Sequence, residues 1–320
     1  MARSLEGLSP EELGLLSAYN YLPSRTAAII MLALFGVTTI LHTGQAVHHR
    51  TWFLLPTAVL CGIMELLGWG GRLWSYYDVL NSTPFQIQIT CAILAPTPLL
   101  AATFVMFGQI INRLGSIYSR LTPKQYTILF CTCDVVSLIV QGVGGGLAAS
   151  ADVEAGESPD LGGRIMLGGI AFQLAVITVF NICVAEFMWR YITNRPLRPA
   201  TYSEPELKHT DARGIITPKL RYMLGALAIS TVVLFARAIY RTIELADGWN
   251  GKIISNETYF IVLDAVMVLI AMYVLNLIHP GPFLYHDADS AVLSVPSQEK
   301  INRRSPWARR EQAATTDSEA

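Results

Sequence analysis

Residues 222–245 read YMLGALAISTVVLFARAIYRTIEL. As an α-helix rising about 1.5 Å per residue, this run is long enough to cross a bilayer core of about 30 Å. It contains Arg237, Arg241 and Glu244, spaced four and seven apart, so the three charges share one helical face. The rest of the circumference is Leu, Ile, Val, Ala and Phe, with no polar face for water. An arginine at such a depth costs about 2.5–3.5 kcal/mol unless it has a partner. The stretch therefore predicts a membrane helix whose charged stripe faces other helices.

Six further apolar stretches match it, near residues 26–47, 52–74, 86–111, 126–149, 165–189 and 258–278. The fold class that follows is an all-α membrane protein, a seven-transmembrane-helix bundle. The domain reading is a segment 1–25, a membrane domain 26–280, and a tail 281–320 poor in apolar periodicity, read as disordered. Composition agrees: the chain is 52% apolar and 15% charged, against about 25% charged in soluble domains. A net charge of −1 offers no basic field for nucleic acid. The five cysteines, Cys61, Cys91, Cys131, Cys133 and Cys183, all fall within spans and read as packed thiols. The first 20 residues carry Glu6, Glu11 and Glu12 and lack the basic start of a cleaved signal, so span 1 is expected to direct insertion.

Basic residues sort by side. Sixteen lie in the 1–2, 3–4 and 5–6 loops and the tail, and four lie in the segments facing the other way. The positive-inside rule then puts the N-terminus outside and the C-terminus in the cytosol. The sequons at Asn81 and Asn256 both fall in loops assigned outside. The 5–6 loop contains Pro196, Pro199, Pro205 and Pro218 and reads as irregular.

The candidate site residues are the polar groups within the spans: Glu65 and Arg72 on span 2, Asp134 and Gln141 on span 4, Gln173 on span 5, Arg237, Tyr240, Arg241 and Glu244 on span 6, and Asp264 on span 7. Glu65/Arg72, Asp134/Gln141 and Arg237/Glu244 are each seven apart, which makes one inward stripe per helix. Helical rise places most of them in the outer half, with Asp134 nearer the cytosol. The expected result is a polar cavity open toward the extracellular side, with Arg237 paired to Asp264 or Glu65, and Arg241 to Glu244. Glycines 142, 144, 145, 146, 168 and 169 are expected to let spans 4 and 5 approach closely. Pro96 and Pro98 should kink span 3 and free backbone carbonyls.

Several functions are excluded. There is no phosphate-binding Gly-Lys loop, and no span contains the lysine a Schiff base requires. His42, His48, His49 and His279 cluster near the cytosolic end but lack paired helical spacing, so His42 reads as a helix-end hydrogen-bonding residue rather than a zinc ligand. No catalytic residue, metal or cofactor is expected.

The set of residues resembles the fungal RTA-like family, named for resistance to aminocholesterol and also called lipid-translocating exporters. The likeness covers roughly residues 19–281. It rests on Tyr21-x-Pro23-Ser24, His42, Glu65-x-x-Gly68-x-x-x-Arg72, Ala95-Pro96, Asp134 with Gln141-Gly142, and Gly169-x-x-x-Gln173. It continues through Arg237-x-x-Tyr240-Arg241-x-x-Glu244, Glu257-x-Tyr259 and Asp264; Trp69 departs from an expected Tyr. The resemblance implies seven helices, an external N-terminus, a fungal source and a role in moving or sensing lipids, sphingoid long-chain bases among them.

Two readings follow. The first is a plasma-membrane transporter of an amphipathic lipid in stress resistance or lipid homeostasis. Its partners are the bilayer and that lipid, and a cationic headgroup would meet Glu65, Asp264 or Glu244. The second is a seven-helix receptor for a lipid or sterol-like ligand, signalling to a cytosolic partner that the sequence does not name. A zinc-dependent lipid hydrolase is a third and lesser alternative.

Overall fold

A computed structural model describes residues 14, 16–150, 159–197, 214–249 and 251–285. The acidic 151–158 loop, the centre of the 5–6 loop and the tail beyond residue 285 lie outside the described residues. Seven membrane-length helical spans run Arg25–His48, Trp52–Tyr77, Ser82–Leu114, Pro123–Ser150, Asp160–Ile192, Pro218–Asp247 and Glu257–Leu277. No strand occurs among the described residues. Large apolar side chains cover the perimeter, with Ile40, Ile128, Ile182, Val232 and Leu277 all more than 60% exposed. In water such a belt would aggregate; in acyl chains it is the compatible surface.

Local chemistry sets the boundaries. Ser24 caps span 1 by accepting from the Ala27 N–H at 3.3 Å. Thr217 does the same for span 6 through Leu220, with Pro218 at the first helical position. The two sequon asparagines are also caps: Asn81 accepts from Thr83 N–H and Asn256 from Thr258 N–H, both at 3.0 Å. Their helix-starting role accounts for both residues whether or not they carry glycans.

Three irregularities shape the interior. Span 3 is broken at Ala95, between helices Ser82–Leu94 and Pro96–Leu114. Spans 2 and 7 each contain a wide five-residue turn, Leu55–Val59 at Pro56 and Ile261–Ala265 around Asp264. Such turns insert one residue and shift the helical register.

Spans 4 and 5 pack closest. A Cβ at Gly144 would collide with the Met166 backbone, and one at Gly162 with Ala148. A Cβ at Gly169 would lie 2.8 Å from Gln141 Cγ. Gly142, Gly146 and Gly168 have nothing within 4 Å of that position, so only part of the expected glycine set mediates the approach. An aromatic cluster of Phe104, Phe107, Phe130, Phe180 and Tyr126 fills the half of the bundle away from the N-terminal segment. Residues 281–285 are not part of a loose tail. They form a further turn that buries Leu284, whose carbonyl accepts from Arg113 at 3.0 Å.

Candidate functional site

Nine of the ten candidate residues are buried, and Gln173 is half-buried. They do not form one chamber. They separate into a charged core, an arginine box beside the N-terminal segment, an amide network and one acid isolated among the described residues.

The charged core joins spans 6, 7 and 2. Arg241 grips Asp264 through two parallel hydrogen bonds, Nε to Oδ1 and Nη2 to Oδ2, each 2.7 Å. This fork is the strong geometry for a guanidinium and a carboxylate. Its Nη1 reaches Glu244 Oε2 at 2.5 Å, and Tyr240 donates to Glu244 Oε1 at 2.7 Å. Arg237 Nε lies 2.7 Å from Asp264 Oδ1. The expected pairs are thus present, and Asp264 serves both arginines.

Arg237 also donates through Nη2 to the backbone carbonyl of Ala92. The reason is four residues downstream: Pro96 has no N–H, so the Ala92 carbonyl has no helical partner. The span 3 break supplies an acceptor, and the arginine takes it. Glu65 is buried beside Arg237, Arg241 and Asp264, and its Oε1 has no hydrogen-bond partner.

Arg72 belongs to a second cluster nearer the N-terminal segment. It donates to Tyr21 Oη at 2.7 Å and to Glu257 Oε1 at 2.8 Å. Its Cζ lies 4.9 Å from the Phe260 ring centroid and 5.0 Å from that of Tyr19, within cation–π range. Arg241 Cζ stands 5.1 Å from the same Phe260, so one ring separates the two clusters. Glu257 also accepts from Ser24 N–H, tying the start of span 1 to span 7. Burial pushes the Tyr19 phenol up to about 12 despite the nearby Arg72, so it stays neutral as it bonds Ser75. Glu257, Tyr19, Tyr21 and Phe260 were absent from the candidate set. Glu257 looks like a loop acid in sequence, at the end of an apolar run.

Gln141 and Gln173 form the third group. Gln141 donates to Ser137 Oγ at 2.6 Å and to Gln173 Oε1 at 3.0 Å, and Gln173 donates to Thr97 Oγ1 at 2.9 Å. This chain joins spans 4, 5 and 3. Asp134 stands alone on span 4, buried, with neither carboxyl oxygen hydrogen-bonded. Asp134 and Gln141 occupy one face as their spacing predicts, yet they meet different neighbours.

In place of the expected polar cavity, no large cavity opens at the charges among the described residues; a space of only about 10 Å³ lies against Arg72 and Glu244. Three cavities instead follow span 3, the first between spans 3, 4 and 5 and the other two between spans 3, 5 and 6. The first, about 400 Å³, opens beside the N-terminal segment, against Phe85, Ile89, Met166 and Trp249. The second, about 20 Å³, is lined by Ile93, Pro96, Gln173, Arg237 and Arg241 and has room for about one water molecule. The third, about 560 Å³, lies beyond it against Thr103, Phe107, Asn181, Leu227 and Thr231. Ile89, Ile93, Met166 and Ile170 form an apolar plug between the first and second. The charges are sealed because every arginine finds a protein acceptor, which closes the space a solvated group would keep open.

His42 Nε2 donates to the Met272 carbonyl, 3.1 Å away, in keeping with a hydrogen-bonding role. No set of three or more metal-ligating side chains occurs among the described residues.

Seven apolar spans around a buried arginine–carboxylate core define a multi-pass membrane protein with an intramembrane polar site. The chain belongs to the RTA1-like family, whose model ("RTA1 like protein") matches residues 58–287. It is 32% identical over 278 residues to the sphingoid long-chain base transporter RSB1 of Saccharomyces cerevisiae, covering 81% of this chain and 72% of that protein. Protein RTM1 of S. cerevisiae is 26% identical, covering 80% of this chain and 89% of that one. Protoporphyrin uptake protein 1 of S. cerevisiae is 25% identical, covering 79% and 89%. No solved structure matches the chain.

Proposed function

We propose that this protein is a lipid transporter, without catalytic activity, that moves a single-chain amphipathic amine of the sphingoid-base type along span 3, between it and spans 4, 5 and 6. The observation that supports the reading is the ordered row of cavities passing the charged core. A substrate on this path would set its neutral polar groups beside Gln173, Arg237 and Arg241, the two guanidiniums repelling its ammonium, with apolar walls for its chain on both sides. The named activity of the relative RSB1 agrees in chemical class.

The charge balance gives the amine a role. Two guanidiniums, Arg237 and Arg241, stand against three carboxyls, Glu65, Glu244 and Asp264. One carboxyl is in surplus, and a lone ion in low dielectric is costly. A proton or a substrate ammonium compensates it. Glu65 lines none of the three cavities, so with one oxygen unpartnered it is placed to hold the proton in this state and to meet the ammonium only once the helices around it part. Exchange of the two at Glu65 would couple lipid movement to protons without a nucleotide.

The N-terminal face is proposed to lie outside, on the positive-inside rule, and the plasma membrane is the proposed location, in keeping with a lipid exporter. The test is reconstitution in liposomes with a fluorescent sphingoid base. Protein-dependent flip that falls at least about tenfold with Glu65→Gln supports the reading. Flip indifferent to both the protein and the substitution defeats it.

A further inference from the structure

The largest of the three cavities has a composition that identifies an occupant. Thr103 and Thr231 line it, but both hydroxyls are already engaged, Thr103 with the Leu100 carbonyl and Thr231 with that of Leu227, each at 2.7 Å. Phe107, Phe180, Val184 and Leu227 are apolar. That leaves Asn181, whose side-chain amide has no hydrogen-bond partner among the described residues. An unpartnered amide inside the acyl region is unfavourable and marks an intramembrane site by default.

The cavity also has an entrance. Ala185, Gly225 and Ala228, all small, form part of its exposed rim between spans 5 and 6, with the exposed Val232 beside them. What lies against this surface in a membrane is lipid. A volume of about 560 Å³ falls within the usual range for a small-molecule site. From Phe180 to Met188 the wall extends about 12 Å along the helix, suited to an alkyl chain lying along the bundle.

We propose that this cavity is a lateral binding site for a single-chain lipid bearing a hydroxyl. The chain lies against Phe107, Val184 and Leu227, and the hydroxyl hydrogen-bonds the Asn181 amide. The inference rests on the transport reading for the lipid class and adds where its chain and hydroxyl are held, between spans 5 and 6 at Asn181. Binding at this site does not itself require transport.

The experiment uses the full chain in nanodiscs with two probes of equal length, sphinganine and octadecylamine, the second lacking hydroxyls. Wild-type protein should bind sphinganine more tightly. Asn181→Leu should weaken sphinganine binding about tenfold, equivalent to about 1.4 kcal/mol, and leave octadecylamine unchanged. Ala228→Phe, which fills the rim, should weaken both. A diazirine-bearing sphinganine should cross-link within residues 180–188 and 224–232. Equal loss of both probes in Asn181→Leu, no loss in Ala228→Phe, or cross-links confined to other spans would overturn the proposal. Cross-linking needs only wild-type protein, so a variant that misfolds leaves the proposal testable. If the binding pattern holds and no flip occurs in liposomes, the transport reading fails and the site stands.

Discussion

Arg241→Gln should be among the most damaging single substitutions in the protein, while Glu65→Gln should be nearly silent for stability. Arg241 is 1% exposed and makes three short contacts to two carboxylates, two at 2.7 Å with Asp264 and one at 2.5 Å with Glu244. Removing it leaves Arg237 alone against three carboxyls. Breaking a buried ion pair from one side costs about 3–5 kcal/mol, because the orphaned charge stays buried. Glu65→Gln has the opposite sign in the charge balance: it removes the surplus carboxyl and leaves two against two. Its expected effect is within about 1 kcal/mol. The double variant Arg241→Gln/Asp264→Asn should recover part of the loss, since the two side chains are directly coupled. Thermal unfolding of purified protein in detergent, followed by tryptophan fluorescence, reads all three. A cost of about 3 kcal/mol lowers the midpoint by roughly 6 °C or more on the scale of larger soluble domains. Arg241→Gln melting with wild type, or Glu65→Gln falling as far as Arg241→Gln, would refute the charge accounting.

Other outcomes follow from the same contacts. Asp134→Asn should leave stability unchanged or raise it by about 1 kcal/mol, since the acid has no partner to lose; a drop of about 3 kcal/mol would reveal a partner. Gly144→Val should force spans 4 and 5 apart and cost about 1–3 kcal/mol, whereas Gly146→Val, with open space at its Cβ, should be tolerated; equal melting temperatures would contradict the packing. His279, beyond the end of span 7, is held down to about 4 by burial and by His49 and His42. The unfolded chain therefore takes up that proton first as pH falls. Stability is full above about 6.5 and declines toward pH 4. A melting series over that interval should slope downward, and His279→Gln should reduce the slope without abolishing it, since the buried His42 remains.

Much of this architecture was legible in the chain. Apolar runs of bilayer length fixed the seven spans to within a few residues, because hydrocarbon obliges each backbone polar group to bond within its own helix. Spacing put Glu65 with Arg72 and Arg237 with Arg241 on single faces, and the failure of lipid to solvate charge turned those faces, and the lone Asp264, inward. Pro96 even announced a free carbonyl, and Ala92 supplies it to Arg237. Glu257 was legible only as a family motif residue, since nothing in its local sequence distinguishes an arginine's partner from a solvated loop acid.

What sequence by itself determined was the solvent, the number of crossings and which residues had to avoid lipid. Those are properties of one helix at a time. Tertiary structure decided how the buried groups were shared: Asp264 between two arginines, Phe260 between two clusters, Asp134 with none. It also decided that the larger spaces lie along span 3, between it and spans 4, 5 and 6, while little more than a water's volume remains at the charges. Helical period constrains direction but not distance, and a cavity is a remainder left after neighbouring helices have packed.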